Sequence, residues 1–555
     1  MDWSSIYEEH GEETGDWSGW NFRLDPILES IASRGKYGPA VCYALTVNYI
    51  LGVGCLGVPF AFLKSGAILG TLIIFVITLV TLSTVLWIAE ASHTSTQIRN
   101  FESLEKEKRF SNDIRNKILI GGSKNYSSVL SDEEDSQSPK HFSQGIIRRN
   151  SHIIRNQHDP EVTELVLLFL GEYWSSIYQI SLILLTSIGS LAYTQIFVST
   201  FIFQLFPSCS VLLPILIFSS VVVPLSCMEI SEQIFVQILM SGLRFLSLAI
   251  LLVGIIIALF VDFADSQVAS LITNNDDFRS PISPPYLNPN VPLFQYTGFG
   301  LMFTTAIFSQ LFQHSVPGLV RPLALADRKS VPAIFLFALS TTGTIYILMG
   351  LSSIFYFGDD VQEAVNLNFV GFTWGLSRGT SSYYILVKYL SFVVVLFPAM
   401  DTLSIYPLIA HTVANSLHAY FPTSFKILQS IVRIPKHKAK SYMALIWKLV
   451  ASVPPIFLSV YVTDLSISLQ FTGICGIVVA LVVPSLLHIY SREKLAQIKK
   501  TAKAEVVATA DMLGNSNPYS TFLSHTALTY LVLILAFVAF FVCIYQLVLA
   551  LISPK

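Results

Sequence analysis

The sequence predicts an all-α polytopic membrane protein with eleven transmembrane helices, and three observations carry that expectation. First, 53% of the 555 residues are hydrophobic, only 13% are charged, and the mean hydropathy is +0.61. A water-exposed surface needs roughly a quarter charged residues, so nucleic-acid binders, small secreted scaffolds and long disordered chains are excluded. Second, apolar runs of about 20 residues, the length that crosses a ~30 Å hydrocarbon core, recur along the whole chain. Third, Lys and Arg gather on one side when successive loops are assigned alternately to the two faces.

The runs are 40–62, 67–91, 173–206, 210–227, 232–261, 293–316, 332–357, 383–410, 443–463, 467–490 and 523–552. They are continuous rather than alternating, which excludes a β-barrel. The third is long enough to tilt, and the fourth carries Pro214 and Pro224. With the N-terminus in the cytoplasm, the inner segments hold 27 Lys and Arg, against four outside: Lys64, Arg279, Arg378 and Lys555. Losing a middle span would flip the later loops and destroy this asymmetry. Eleven spans therefore place the N-terminus in the cytoplasm and the C-terminus in the lumen or outside the cell. A plasma membrane and a lysosomal or vacuolar membrane suit this topology equally.

The expected organisation follows. Residues 1–39 form a cytoplasmic tail, 40–92 helices 1 and 2, and 93–162 a disordered cytoplasmic loop. Residues 163–490 form helices 3 to 10, 491–522 a cytoplasmic loop, and 523–555 helix 11 with the outer C-terminus. The 93–162 loop is charged and Ser-rich. Its Arg148-Arg149-Asn150-Ser151 run and Ser131 before an acidic stretch are candidate kinase sites, making kinases or other cytoplasmic regulators possible partners there. Asn125 in the same loop is a sequon expected to stay unglycosylated. The acidic, polar N-terminus does not read as a cleavable signal peptide. Cys42, Cys55, Cys209, Cys227, Cys475 and Cys543 form no CxxC or Cys/His pattern, so neither a disulfide framework nor a zinc site is expected. The nucleotide-binding and metalloprotease signatures GxxxxGK[ST] and HExxH are missing from the sequence, and the chain is expected not to be an enzyme.

Function is sought where the apolar runs are broken, because a helix in lipid must satisfy its own backbone. Span one reads Asn48-Tyr-Ile-Leu-Gly52-Val-Gly54-Cys55-Leu56-Gly57-Val-Pro59. Three glycines and a proline weaken the helix there, although close glycines also serve helix packing. Span six reads Thr304-Thr305-Ala-Ile307-Phe308-Ser309-Gln310-Leu-Phe-Gln313-His314-Ser-Val-Pro317, whose polar side chains are expensive against lipid. In a five-plus-five inverted repeat with an extra eleventh helix, spans one and six are corresponding members. Interrupted helices at corresponding places point to a midplane binding site.

The chemistry comes from freed backbone groups. A half-helix starting near Gly54 presents the amides of Gly54, Cys55, Leu56 and Gly57 to an anion such as a carboxylate. Carbonyls near Gly52, with the Asn48 side chain, suit a cation or an ammonium group. Carbonyls around Ile307 and Phe308 could receive an amine, with Ser309, Gln310 and Gln313 shaping the pocket. A zwitterionic amino acid satisfies both ends. His314 is a candidate pH-sensitive group, against the commoner reading of a satisfied structural donor. Asp401 lies in span eight, LFPAMDTLSIYPLIA, where a carboxylate costs about 2.5–3.5 kcal/mol on insertion scales. It must be paired, protonated or wet, or else cap amides freed by Pro398 and Pro407. Thr402 and Ser404 add hydroxyls, and Arg244 in span five is a candidate carboxylate partner, the alternative being that it faces an aqueous vestibule.

The span-one motif, followed by Phe-Ala-Phe, resembles the amino acid/auxin permease family of the amino acid–polyamine–organocation superfamily. FSQLFQHSVPGLVRPL in span six resembles that family's segment running into a polar residue, His and Pro. LFPAMDTLSIYPLIA and TDLSISLQFTGICGIVVALVVPSLL are similar to an orphan branch of it. The resemblance runs from about residue 40 to 552, loops excepted. It implies the LeuT-like fold, a five-plus-five inverted repeat with discontinuous helices 1 and 6, and cation- or proton-coupled amino acid transport by alternating access. In sodium-coupled relatives the span-one Asn, here Asn48, and a span-eight Thr hold the ion. This chain departs from the pattern by carrying Asp401 beside Thr402, which makes a proton on Asp401 an alternative to sodium. No cofactor is expected beyond H+ or Na+. The expected function is a secondary active transporter of amino acids. The alternative is an amino-acid-sensing transceptor that signals through the 93–162 loop.

Overall fold

The fold is taken from a computed structural model, which describes residues 37–120 without 53, 160–202, 209–228, 234–272, 291–374 without 325 and 373, 383–421, 424, 426, 430, 436–501 and 517–552. All regular secondary structure among the described residues is helical, apart from one isolated bridge between Tyr37 and Leu323. In chain order the helices are α1 (Pro39–Ile50), α2 (Gly54–Ser65), α3 (Ala67–Ile120), α4 (Val162–Leu170), α5 (Glu172–Thr200), α6 (Leu212–Cys227) and α7 (Ile234–Ile272). They continue with α8 (Phe299–Ser309), α9 (Val316–Val320), α10 (Val331–Phe357), α11 (Tyr383–Tyr420), α12 (Lys436–Leu458), α13 (Leu465–Ile477), α14 (Val483–Thr501) and α15 (Thr526–Ile552). A π-helical turn, Val478–Val482, joins α13 to α14.

Among the described residues, eight stretches are long and apolar enough to cross a membrane: Ala67–Arg99, Glu172–Thr200, Gly242–Val261, Asp327–Asp360, Ile385–His418, Ala439–Leu458, Leu465–Thr501 and Thr526–Ile552. A ninth arises if α1 and α2, bent by 56° at their break, count as one span. The remaining two apolar runs give shorter helices: α6 has 16 residues and α8 has 11. Large apolar side chains face outward from several helices, including Ile534, Phe537 and Phe541 of α15 and Phe337 of α10. Such a surface is at home only in lipid.

Two boundaries differ from the sequence expectation. Residues 93–120, expected within the disordered loop, continue α3 as one helix. The charged run suggests disorder, yet Glu102 and Lys106, Glu105 and Arg109, and Asp113 and Lys117 fall four apart, the spacing that supports a solvated helix. The loop's Asn125, Ser131 and Ser151 lie outside the described residues. Residues 491–501, expected in a loop, likewise extend α14. The short helix α4 is an addition to the expected elements, although Val162, Leu165, Val166 and Phe169 bury one face at helical spacing. It ends at Gly171, whose φ of 86° turns the chain into α5.

The broken helices sit in the middle of this bundle. Helix α8 packs against α2, α3, α13 and α15, and α10 packs against α1, α2, α3 and α7. Helix α11 runs along α5, α6, α7 and α12. Close approach of α13 to α8 depends on Gly473, where a Cβ would collide with the Thr304 backbone and side chain.

Candidate functional site

Helix α1 ends at Ile50 and α2 begins at Gly54. The Leu51 amide still reaches Val47 O at 2.9 Å, the Gly52 amide turns onto Ile50 O at 2.9 Å, and Cys55 N restarts the helix on Gly52 O at 3.2 Å. Helix α8 ends at Ser309 and the chain resumes through a 3-10 turn, Gln313–Ser315, into α9. The two breaks lie side by side. A Cβ on Gly54 would sit 2.8 Å from Ser309 Oγ and 3.0 Å from its Cα, so only glycine lets the start of α2 rest on the end of α8.

One hydroxyl joins the two ends. Tyr346 of α10 is fully buried, and its Oη lies 2.9 Å from Ile50 O and 2.9 Å from Ser309 O. Its single proton is shared between one carbonyl at each break, of which Ile50 O also takes the Gly52 amide. Tyr346 is not among the sequence candidates, because a tyrosine in an apolar run reads as packing.

Asp401 is buried and paired. Arg244 of α7 donates from Nε to Asp401 Oδ2 and from Nη2 to Oδ1, both at 2.9 Å, a two-pronged ion pair. The remaining Nη1 faces the end of α1, 3.3 Å from Asn48 O, 3.1 Å from Asn48 Oδ1 and 3.3 Å from Leu51 O. One guanidinium thus ties span five to the broken end of span one and to the middle of span eight. Arg244, the candidate carboxylate partner, is the group that reaches Asp401. Thr402, next to Asp401, is buried and donates to Ala399 O at 2.7 Å.

The other candidates divide. Cys55, Leu56 and Gly57 are buried in the first turn of α2, as Gly54 is, and Gly52 faces the Tyr193 hydroxyl. The carbonyls of Ile307 and Phe308 accept the Gln310 amide at 3.2 Å and the Leu311 amide at 3.4 Å, so they close the helix end. Gln310 and Gln313 reach sideways to α3, donating to Thr78 at 3.0 Å and Thr84 at 3.2 Å. Buried atoms without a partner remain at Ser309 Oγ, Thr305 Oγ1, Gln310 Oε1 and His314 Nδ1. No contact joins His314 to Asp401 among the described residues.

A second acidic feature lies between α10 and α13. Glu363 accepts the Leu465 amide at 2.8 Å, at the start of α13. Burial, with the Asp464 carboxyl beside it, pushes the Glu363 carboxyl up to about 7. No group of three or more His, Cys, Asp or Glu side chains able to hold a metal occurs among the described residues.

These features define an integral, multi-pass helical membrane protein. The chain is similar to a transmembrane protein 104 homolog of Dictyostelium discoideum, 22% identical over 488 residues, covering 83% of this chain and 90% of the relative. A Caenorhabditis elegans protein of the same name is 29% identical over 127 residues, 23% of this chain and 24% of the relative. The Drosophila melanogaster homolog is 22% identical over 209 residues, 37% of this chain and 38% of its own length. A solved manganese transporter from Eremococcus coleocola superposes with a TM-score of 0.41 at 10% identity, covering 97% of each chain. No family model matches the chain.

Proposed function

We propose that the protein is a secondary active transporter of amino acids, working by alternating access, with eleven spans in a LeuT-like five-plus-five arrangement plus a last helix. The observation that carries this reading is the convergence of the two breaks: Ile50 O and Ser309 O share the Tyr346 hydroxyl, and Gly54 rests on Ser309. Irregular backbone inside a membrane is tolerated where it is buried or lines a cavity, and adjacent half-helix ends supply both signs of partial charge to a zwitterion. The carboxylate would lie at the start of α2 and the amine near the end of α8.

The Arg244 guanidinium favours a proton over sodium as the coupling ion. It already occupies the oxygens of Asn48 and Leu51 that a metal cation would need, and its charge would repel one. Protonating Asp401 would cancel its charge and leave an acceptor for only one prong of Arg244, whose other contacts are at the end of α1. That change alters the tie between spans one, five and eight, the kind of two-state contact alternating access requires.

Purified protein reconstituted in vesicles, offered pooled radiolabelled amino acids under an imposed pH gradient with and without sodium, tests the proposal. Proton-driven uptake in wild type, lost in Asp401→Asn, is the expected result. Sodium-driven uptake that survives Asp401→Asn would refute coupling at Asp401. Ligand stabilisation without any uptake would replace the transporter by a receptor.

A further inference from the structure

A second buried charged cluster lies apart from the two breaks, where the segment 517–525 passes between α14 and α15. Glu90 of α3 and His488 of α14 are 4% and 1% exposed, too buried for surface charge to explain them. Glu90 takes the Ser524 hydroxyl on Oε1, and its own backbone carbonyl accepts Asn517 Nδ2 at 3.3 Å. One turn earlier, Trp87 donates from Nε1 to Leu523 O at 3.0 Å. The Thr521 amide donates to Ser524 Oγ at 3.0 Å and the Ser524 amide to Thr521 O at 3.0 Å, closing the same turn. The segment is therefore pinned to α3 by hydrogen bonds in addition to the burial of Tyr519.

His488 stands between opposite partners. Its Nε2 is 3.4 Å from Glu90 Oε2, which accepts when ionised, and 3.4 Å from Arg492 Nη1, which only donates. Without a proton, Nε2 can accept from Arg492; with one, it can donate only to Glu90. Nδ1 lies 2.9 Å from Thr529 Oγ1, a hydroxyl that donates or accepts as the ring demands. Arg492 Nη1 also holds Ser524 O. The ionisable groups gathered here are Glu90 and His93 from α3, Arg492 on the helix that carries His488, and from the segment itself Tyr519, whose ring meets His93 edge-on, and the exposed His525, whose Nδ1 accepts the Ala527 amide at 3.2 Å. Helix α15 contributes the Thr529 hydroxyl.

The geometry points to Glu90 and His488 as a proton-binding site, separate from the Arg244–Asp401 pair, that decides whether Arg492 holds the 517–525 segment against the bundle. Proton uptake on Nε2 turns the ring from Arg492 to Glu90 and sets two cations face to face. Arg492 then leaves Ser524 O, and the turn that opens α15 loosens. The ligand is a proton, and the chemistry is that of an imidazole switching between an acceptor and a donor role.

The stack of Trp87 on His488, with ring centres 5.1 Å apart and planes 17° from parallel, gives a direct readout. A protonated imidazole quenches an indole it faces. Emission of the full-length protein in vesicles, less that of Trp87→Phe, is titrated from about pH 8 to about pH 5. We expect one quenching step in wild type, none in His488→Gln, and a step that needs more acid in Glu90→Gln. Hydrogen exchange of the peptide covering 517–528, corrected for intrinsic pH dependence, should quicken on acidification in wild type and not in His488→Gln. A flat wild-type titration, or the same step in His488→Gln, overturns the site. A step unmoved by Glu90→Gln removes Glu90 from it, and a quenching step without faster exchange overturns control of the segment.

Discussion

Removing Arg244 should damage the protein more than removing the charge of Asp401, and removing both should cost less than removing Arg244. Arg244→Met leaves a buried carboxylate unpaired and takes the donor from three oxygens of Asn48 and Leu51. Breaking a buried ion pair costs about 3–5 kcal/mol, and this variant belongs at the upper end. Asp401→Asn keeps an acceptor for one prong of the guanidinium, which retains all its contacts to α1; a lost charge-assisted hydrogen bond costs about 1.5–3 kcal/mol. In Arg244→Met/Asp401→Leu no charge is left buried, and the remaining penalty is the undonated oxygens near the end of α1, about 1–3 kcal/mol. Unfolding titrations in mixed micelles measure these differences, with Asp401→Leu alone added so that it, Arg244→Met and their double close a double-mutant cycle. Single-variant costs that add to the double within about 0.5 kcal/mol would show that the two groups are not coupled, and the reasoning would fail.

Three further outcomes follow from the same geometry. Tyr346→Phe withdraws the shared donor from Ile50 O and Ser309 O, so it should cost about 1–3 kcal/mol and speed hydrogen exchange at residues 50–55 and 309–313 together. Exchange unchanged at either break would separate them. Gly54→Ala puts a methyl 2.8–3.0 Å from Ser309 and Phe308, an overpacking expected to cost about 1–3 kcal/mol in the unfolding titration, with Gly38→Ala, where a Cβ meets nothing, as the neutral control. Glu363 is held at about 7 against an ordinary 4.5, so the folded state binds its proton more tightly than the unfolded chain does. Its contribution is fully present below about 4.5 and is lost as pH rises through about 7. Melting of the wild type across that window should show this loss, and Glu363→Gln should flatten it; an identical pH profile in the variant would sink the assignment.

What is legible in the sequence and what is not divide along a physical line. Breaks are local: Gly52 and Gly54, and the polar run from Ser309 to Pro317, weaken a helix wherever they stand, so the order of residues alone locates both interruptions. The cost of Asp401 is local too, since a carboxylate in an apolar run must be compensated. What compensates it is not local. Arg244 lies 157 residues away, and nothing in the order of residues distinguishes it from a cation facing water. Tyr346 is farther from suspicion still, for its body packs like any aromatic and only its hydroxyl meets the broken ends. Glu90 and His488, nearly four hundred residues apart, look in the sequence like the inner edges of two unrelated spans. Composition misleads in the opposite direction at 93–120, where charge density suggests disorder while the spacing of those charges suits a helix. In each case the sequence exposes a group that needs a partner, while the partner is chosen by packing. That is why the candidate residues at the breaks outnumber those the structure engages there, and why the two donors that satisfy them, Arg244 and Tyr346, come from other spans.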